Sequence, residues 1–313
     1  MRINIGFLTS SHLQLDIPMK ILYVARLCRP HQYIKNFFVF AGPLFYNIRE
    51  YDLLQKDFLA FIAFSAMASS IYIFNDIIDV NSDRKHPVKC SRPIACGKVS
   101  VREAIALNII LTAFALFLGF VISLWALAFL VLYMIINIGY SLRWKHVPVI
   151  DVFLISSGFM LRILIGTVGL GIHATSWILL CGLMLTLFLG FAKRRAELLA
   201  LENSDDLNPA SIRRVLDDYS PEMIEQFTAI SAACTIICYS LYTVSPETVA
   251  RHHTTNLIYT VPFVVYGIFR YLFLLHRGTG GNDTARDMLR DPHLLITGLL
   301  WLMVTIGVIA WPV

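Results

Sequence analysis

Charged residues are scarce in this chain: Asp, Glu, Lys and Arg make up 15% of its 313 residues. Soluble domains carry about 25%. With 57% hydrophobic residues and a mean hydropathy of +0.66, a soluble globular domain is excluded and a polytopic membrane protein remains. Cysteine is sparse too. Cys28, Cys90, Cys96, Cys181, Cys234 and Cys238 form no CxxC pair and no cluster with histidine, which argues against a structural zinc and a disulfide framework. Cys234 and Cys238 share a helix face inside an apolar stretch and read as small hydrophobes. The first 20 residues lack a uniform apolar core and a small-residue cleavage site, so no cleaved signal peptide is expected. There is no tandem repeat, low-complexity tract or soluble domain, and 1–313 reads as one integral-membrane domain with 1–32 as an N-terminal arm. The net charge of +5 is modest, and no nucleic-acid partner is expected.

What the chain does have is long apolar runs. Nine are read: Tyr33–Tyr46, Asp57–Phe74, Val101–Phe120, Leu124–Ser141, Ile150–Leu170, Ser176–Ala192, Met223–Val244, Asn256–Leu275 and His293–Trp311. Most approach the 20 or so residues that cross a hydrocarbon core of about 30 Å as helix, so the fold class is an all-α bundle of nine transmembrane helices. The first run is short and broken by Gly42-Pro43, which predicts a kink or tilt. Of the 26 Lys and Arg, only Arg49, Lys56 and Arg251 fall in connections on one side. The rest of the loop and arm cations lie on the other, which predicts a cytoplasmic N-terminus by the positive-inside rule. The longest connections, second-to-third and sixth-to-seventh, lie on that cytoplasmic side, where the chemistry is expected.

Asn75-Asp76-Ile77-Ile78-Asp79-Val80-Asn81-Ser82-Asp83 closes the second run. If the helix continues, Asp76, Asp79 and Asp83 fall within roughly 60° of one another on one face. Three clustered acids repel unless something cationic sits among them, and oxygen-rich clusters suit Mg²⁺ shared with substrate phosphates. A solvated acidic helix end would carry the same residues. The basic Arg84, Lys85, Lys89, Arg92 and Lys98 that follow favour a diphosphate site: acid for the metal beside base for the phosphate.

Other groups stand out. In Lys193-Arg194-Arg195-Ala196-Glu197 the glutamate is spaced to orient Lys193 or Arg194; snorkelling at a helix end is the alternative, and the need for cations opposite a metal-held diphosphate favours the functional reading. Tyr140, Trp144, Arg143 and Lys145 are either interfacial anchors or contacts to an anionic headgroup. Arg162 lies 11 residues after Asp151, about 16 Å further along the fifth run; an intramembrane arginine pairs with another helix or lines a cavity, and the cavity is favoured. Asp205, Asp206, Asp217, Asp218 and Glu222 in the sixth-to-seventh connection read as loop solvation ahead of a second metal site. Lys35 alone is an ordinary interface lysine.

Asn75-Asp76-x-x-Asp79-x-x-x-Asp83 at the end of the second run resembles the first aspartate-rich motif of the UbiA superfamily of intramembrane prenyltransferases. That resemblance implies a helical bundle around a central cavity, with Mg²⁺ on aspartates holding a diphosphate and a lateral opening for a lipid chain. The second aspartate motif of that family is replaced here by Lys193-Arg194-Arg195-Ala196-Glu197. With Arg29-Pro-x-Gln32-x-x-Lys35-Asn36, Arg92-Pro93-Ile94-Ala95-x-Gly97 and Gly158-Phe159-x-Leu161-Arg162, this is similar to the decaprenyl-phosphate phosphoribosyltransferase branch.

The branch implies a cell-membrane enzyme of envelope biosynthesis, working at the cytoplasmic face. It would transfer 5-phosphoribose from phosphoribosyl pyrophosphate to a polyprenyl phosphate. Asp76, Asp79 and Asp83, with Asn75, would hold Mg²⁺. Lys193 and Arg194, oriented by Glu197, would take substrate phosphate. Arg84, Lys85 and Arg92 would cap the leaving pyrophosphate, with Lys35, Tyr140, Arg143, Lys145 and Arg162 as further substrate contacts. The alternative is a polyprenyl diphosphate donating its chain to an aromatic or other small acceptor. A transporter for a phosphorylated solute is the third reading, for which no inverted repeat of broken spans is evident.

Overall fold

A computed structural model describes residues 19–46, 51–86, 88–202, 218–278 and 290–311. Among them there is no strand. The helices are α1 (Met19–Cys28), α2 (Ala41–Tyr46), α3 (Tyr51–Ile78), α4 (Val80–Asp83), α5 (Val101–Ile122), α6 (Leu124–Leu142), α7 (Ile150–Ile165), α8 (Ser176–Glu202), α9 (Pro221–Val244), α10 (Pro246–His252), α11 (Val261–His276) and α12 (Pro292–Ala310), with a 3₁₀ stretch over Pro30–Phe40 between α1 and α2.

Eight helices, rather than the nine expected, are long and apolar enough to cross a membrane among the described residues. They match the second to ninth runs. The first run is the exception, and its packing explains why. Arg29 touches Asp76 at one end of the bundle, Asn36 donates to Ser65 Oγ in the middle, and Gly42 lies against Gly166 at the other end. The run therefore traverses the bundle, but as 3₁₀ and then a short α-helix. At about 2.0 Å per 3₁₀ residue and 1.5 Å per α residue, Pro30–Tyr46 reaches about 31 Å, where a regular helix would reach about 25 Å. The backbones meet so closely that a Cβ on Gly42 would fall 2.0 Å from the Gly166 carbonyl oxygen, and one on Gly166 would fall 1.8 Å from that of Val39.

Helix α3 is central because its sequence is small where neighbours approach. Ala60, Ala63, Ser65, Ala66, Ala68, Ser69 and Ser70 are all buried. Lipid tails are as apolar as leucine, so helices in a bilayer associate through close packing and interhelical hydrogen bonds, the latter worth about 0.6 to 2 kcal/mol each. Here α5 supplies three, all to Ser70: Asn108 Nδ2 donates to its carbonyl at 2.7 Å and to its Oγ at 3.0 Å, and Thr112 shares a hydroxyl bond of 2.6 Å with it. Phe64, Met67, Leu130, Tyr133 and Leu161 fill the core of this first half. A second core joins α8, α9, α11 and α12 through Phe188, Ala232, Ile268, Tyr271 and Leu294.

The caps follow the sequence. Ser100 and Glu103 form a capping box on α5, and Ser220 accepts from the Met223 amide at the start of α9, where Pro221 has no N–H in need of an acceptor. At the end opposite Asp76, Ser123 joins α5 to α6 and donates to the Gly169 carbonyl at 2.6 Å.

Candidate active site

The helix carrying the aspartates does continue past the apolar run. The Asp79 amide donates to the Asn75 carbonyl at 2.9 Å and the Asp83 amide to that of Asp79 at 2.8 Å, which keeps the three acids on one side. Asp76 and Asp83 are each 2% exposed, and Asp79 is half-buried and within electrostatic reach of Asp76. Arg92 Nη1 bridges Asp76 Oδ1 (3.1 Å) and Asp83 Oδ2 (2.7 Å). Arg29 Nη2 meets Asp76 Oδ1 at 2.5 Å, its guanidinium lying 4.9 Å from the Tyr72 ring centre. Arg29 is left-handed, with φ 53° and ψ 58°, which turns the chain from α1 into the 3₁₀ stretch. Asn75 Oδ1 accepts from Ser141 Oγ at 2.5 Å, tying this end of α3 to α6.

A second group is gathered from α7, α8 and the segment just before α9. Arg194 is wholly buried, with Nε 2.8 Å from Asp151 Oδ2 and Nη1 paired with Glu197. The Nε–H is not aligned with that carboxylate oxygen, so the contact is an ion pair by distance alone. Tyr219 donates to Asp151 Oδ1 at 2.9 Å. Tyr140, one residue from Ser141, lies near Arg194, so the end of α6 reaches both groups. Arg195 turns away to Glu225 on α9, at 2.7 Å.

The remaining expected residues are spread more widely. Lys193 and Lys35 are half-buried; Arg84 and Lys85 are exposed beyond α4. Arg143 is exposed and Lys145 half-buried in the turn after α6, where Trp144 folds back on Gly139. Arg162 is not brought to the aspartates. It donates to Asn36 Oδ1 and the Gly158 carbonyl, each at 2.7 Å, and to Tyr133 at 3.4 Å, under the rings of Phe64, Tyr133 and Phe159. Asp218 and Glu222 are exposed, while Asp205, Asp206 and Asp217 lie outside the described residues. Asp151, Tyr219 and the Arg29–Asp76 contact are not legible in the sequence as site features, although Arg29 opens one of the motifs shared with the family.

Among the described residues no three carboxylates, histidines or cysteines converge into a metal cage. The donor set nevertheless fits Mg²⁺, which binds through one or two carboxylates and completes its shell with substrate phosphate and water.

The sequence profile of the UbiA prenyltransferase family matches residues 36–291. The chain belongs to this family. Within it, the UbiA-family chain is 35% identical over 288 residues to the decaprenyl-phosphate phosphoribosyltransferase of Corynebacterium glutamicum, covering 87% of this chain and 82% of that one. It is 33% identical over 290 residues to the protein of the same name in Mycolicibacterium smegmatis, covering 88% of each. The fold matches a UbiA homolog from Archaeoglobus fulgidus bound to GPP and Mg²⁺, with a TM-score of 0.69 at 19% identity over 92% of this chain and all of that one.

Proposed function

We propose that this UbiA-family transferase moves 5-phosphoribose from phosphoribosyl pyrophosphate to a polyprenyl phosphate such as decaprenyl phosphate, releasing pyrophosphate. The names of its relatives support the reading. The observation that carries it is Arg194, a wholly buried guanidinium held by Asp151 and Glu197 where family resemblance predicts a second acidic motif. A prenyl diphosphate brings a single diphosphate. A phosphoribosyl donor adds a 5-phosphate and its acceptor another phosphate, so cations on this side fit the added charge.

Asp76, Asp79 and Asp83, with Asn75, would hold Mg²⁺ against the donor pyrophosphate. When bound, the metal neutralises charge on the leaving group. Arg92 holds Asp76 and Asp83 together and Arg29 pairs with Asp76; both would place positive charge beside the same pyrophosphate, with Arg84 and Lys85 at its outer edge. The bond from ribose C1 to the pyrophosphate oxygen breaks as the acceptor phosphate oxygen bonds to C1 from the opposite face. That phosphate is already ionised and needs positioning more than a base. Lys193 and Arg194 would supply the positioning, with Tyr140 beside Arg194 and Lys35 as a further substrate contact. Arg143 and Lys145, in the turn after α6, would meet the lipid headgroup, and Arg162 would act through the packing of Asn36, Phe64 and Tyr133. The reaction face is cytoplasmic, in the plasma or inner membrane, from the distribution of arginine and lysine.

The test uses purified protein, Mg²⁺, decaprenyl phosphate and phosphoribosyl pyrophosphate labelled in the ribose. Metal-dependent label in the lipid phase is expected. No label there, from protein that consumes a prenyl diphosphate with an aromatic acceptor, would overturn the reading in favour of prenyl transfer.

A further inference from the structure

The connection between α6 and α7 closes on a strained residue. Val149 has φ 66° and ψ −47°, and the Ile150 amide donates to the Pro148 carbonyl at 2.7 Å. Val149 is thus the centre of a positive-φ γ-turn, a rare and strained form, and a β-branched residue there is an outlier. Strain of this kind persists only where the surroundings over-determine it. Here Tyr219 does so. Its hydroxyl accepts from the Val149 amide at 2.5 Å and donates to Asp151 Oδ1 at 2.9 Å. Burial, with the Asp151 charge beside it, pushes the Tyr219 phenol well above its ordinary range, so it stays a donor.

Asp151 passes the constraint on. Its other oxygen lies 2.8 Å from Arg194 Nε, and both side chains are wholly buried. Glu197 takes Nη1. Nη2 is also buried and meets no acceptor among the described residues. A buried N–H on a cation without a partner is costly, and a substrate phosphate oxygen would supply the acceptor.

We propose that Asp151 and Tyr219 are positioning residues, which fix the Arg194 guanidinium so that Nη2 faces a substrate phosphate. Neither touches the substrate itself. The Tyr219 hydroxyl also ties the start of α9 to the α6–α7 turn, so docking of that segment and aiming of the arginine are one event. The inference rests on Arg194 binding phosphate, as in the function proposed above.

Tyr219→Phe removes the hydroxyl and keeps the ring, and it tests the idea alongside Arg194→Lys and the double variant. Turnover is measured against phosphoribosyl pyrophosphate and against decaprenyl phosphate, with the thermal midpoint as a folding control. Tyr219→Phe should raise one of the two KM values about tenfold, a binding change of about 1.4 kcal/mol, and leave kcat within about threefold. The substrate whose KM rises is the one whose phosphate Arg194 holds. The effect should vanish in the Arg194→Lys background, because residues acting through one another are not additive. Unchanged KM values in Tyr219→Phe beside an impaired Arg194→Lys would overturn the positioning role and leave Arg194 as a phosphate ligand. An equal KM rise in both backgrounds would overturn it too. Wild-type constants in Arg194→Lys would instead overturn the phosphate-binding reading of Arg194.

Discussion

Asp76, near the end of α3, and Asp83, at the end of α4, meet the same nitrogen of Arg92, at 3.1 Å and 2.7 Å. A single nitrogen rather than the guanidinium fork joins them, so charge at that point matters more than planar geometry. Arg92→Ala should lower turnover about 100-fold, or about 2.7 kcal/mol of barrier, because the link between the two acids is lost and Arg29 reaches Asp76 alone of the pair. Arg92→Lys should stay within about tenfold of wild type, since an ammonium is also a point donor. Steady-state turnover of the two variants checks this, and equal losses in both would sink the single-nitrogen account.

Because no three carboxylates among the described residues close on a metal unaided, metal affinity should depend on diphosphate. Mg²⁺ alone at millimolar concentration should shift the thermal midpoint by less than about 1 °C. Mg²⁺ with pyrophosphate should raise it by several degrees, as ligand at about 100 times Kd adds about 2.7 kcal/mol. Chelation should abolish turnover while circular dichroism stays unchanged. A large midpoint shift from Mg²⁺ alone would reveal a protein-only metal site.

Much of this was legible in the sequence, and the exceptions have physical causes. Eight apolar runs became eight long helices because burial in lipid leaves hydropathy and length to decide. The first run departed because Gly42 and Gly166 let two backbones touch, a contact that spacing along one segment cannot announce. The acids at 76, 79 and 83 were readable because a helical period sets their common face. Their cations were harder. Arg92 lies in the basic run that follows, but Arg29 reaches Asp76 across 47 residues. In Lys193-Arg194-Arg195, rotation of about 100° per residue sends Arg194 to Asp151 and Arg195 to Glu225, and only the packing of α7 and α9 fixes which is which.

Asp57 presents the opposite situation to Asp76. It is wholly buried in α3, and neither carboxylate oxygen has a hydrogen-bond partner among the described residues. An isolated buried carboxyl is costly, and replacing buried ionic groups by hydrophobes of similar volume often stabilises by about 1 to 4 kcal/mol. Asp57→Leu should therefore raise the thermal midpoint by several degrees. A lowered midpoint would mean that Asp57 serves a partner that the fold alone does not supply.

Asp291 is the acid whose pH dependence is most directly readable. It caps α12 by accepting from the Leu294 amide at 2.9 Å, and it receives Arg270 Nη2 at 2.7 Å and Nε at 3.2 Å. The Arg270 hydrogen bonds, with the Leu294 amide, hold its carboxyl below the usual range. A folded-state value below the unfolded one, about 3.9, gives a contribution that is fully present above that pH and is lost as pH falls through the folded value. Asp291→Ala should thus lower the thermal midpoint by about 3 °C at pH 7, as expected for a lost cap. The gap between variant and wild type should hold down to about pH 5 and close as pH drops below about 4. Thermal midpoints of both proteins in detergent from pH 7 to pH 3 measure it. A gap that stays constant across that range would assign the loss to packing of α12 rather than to the ionised cap.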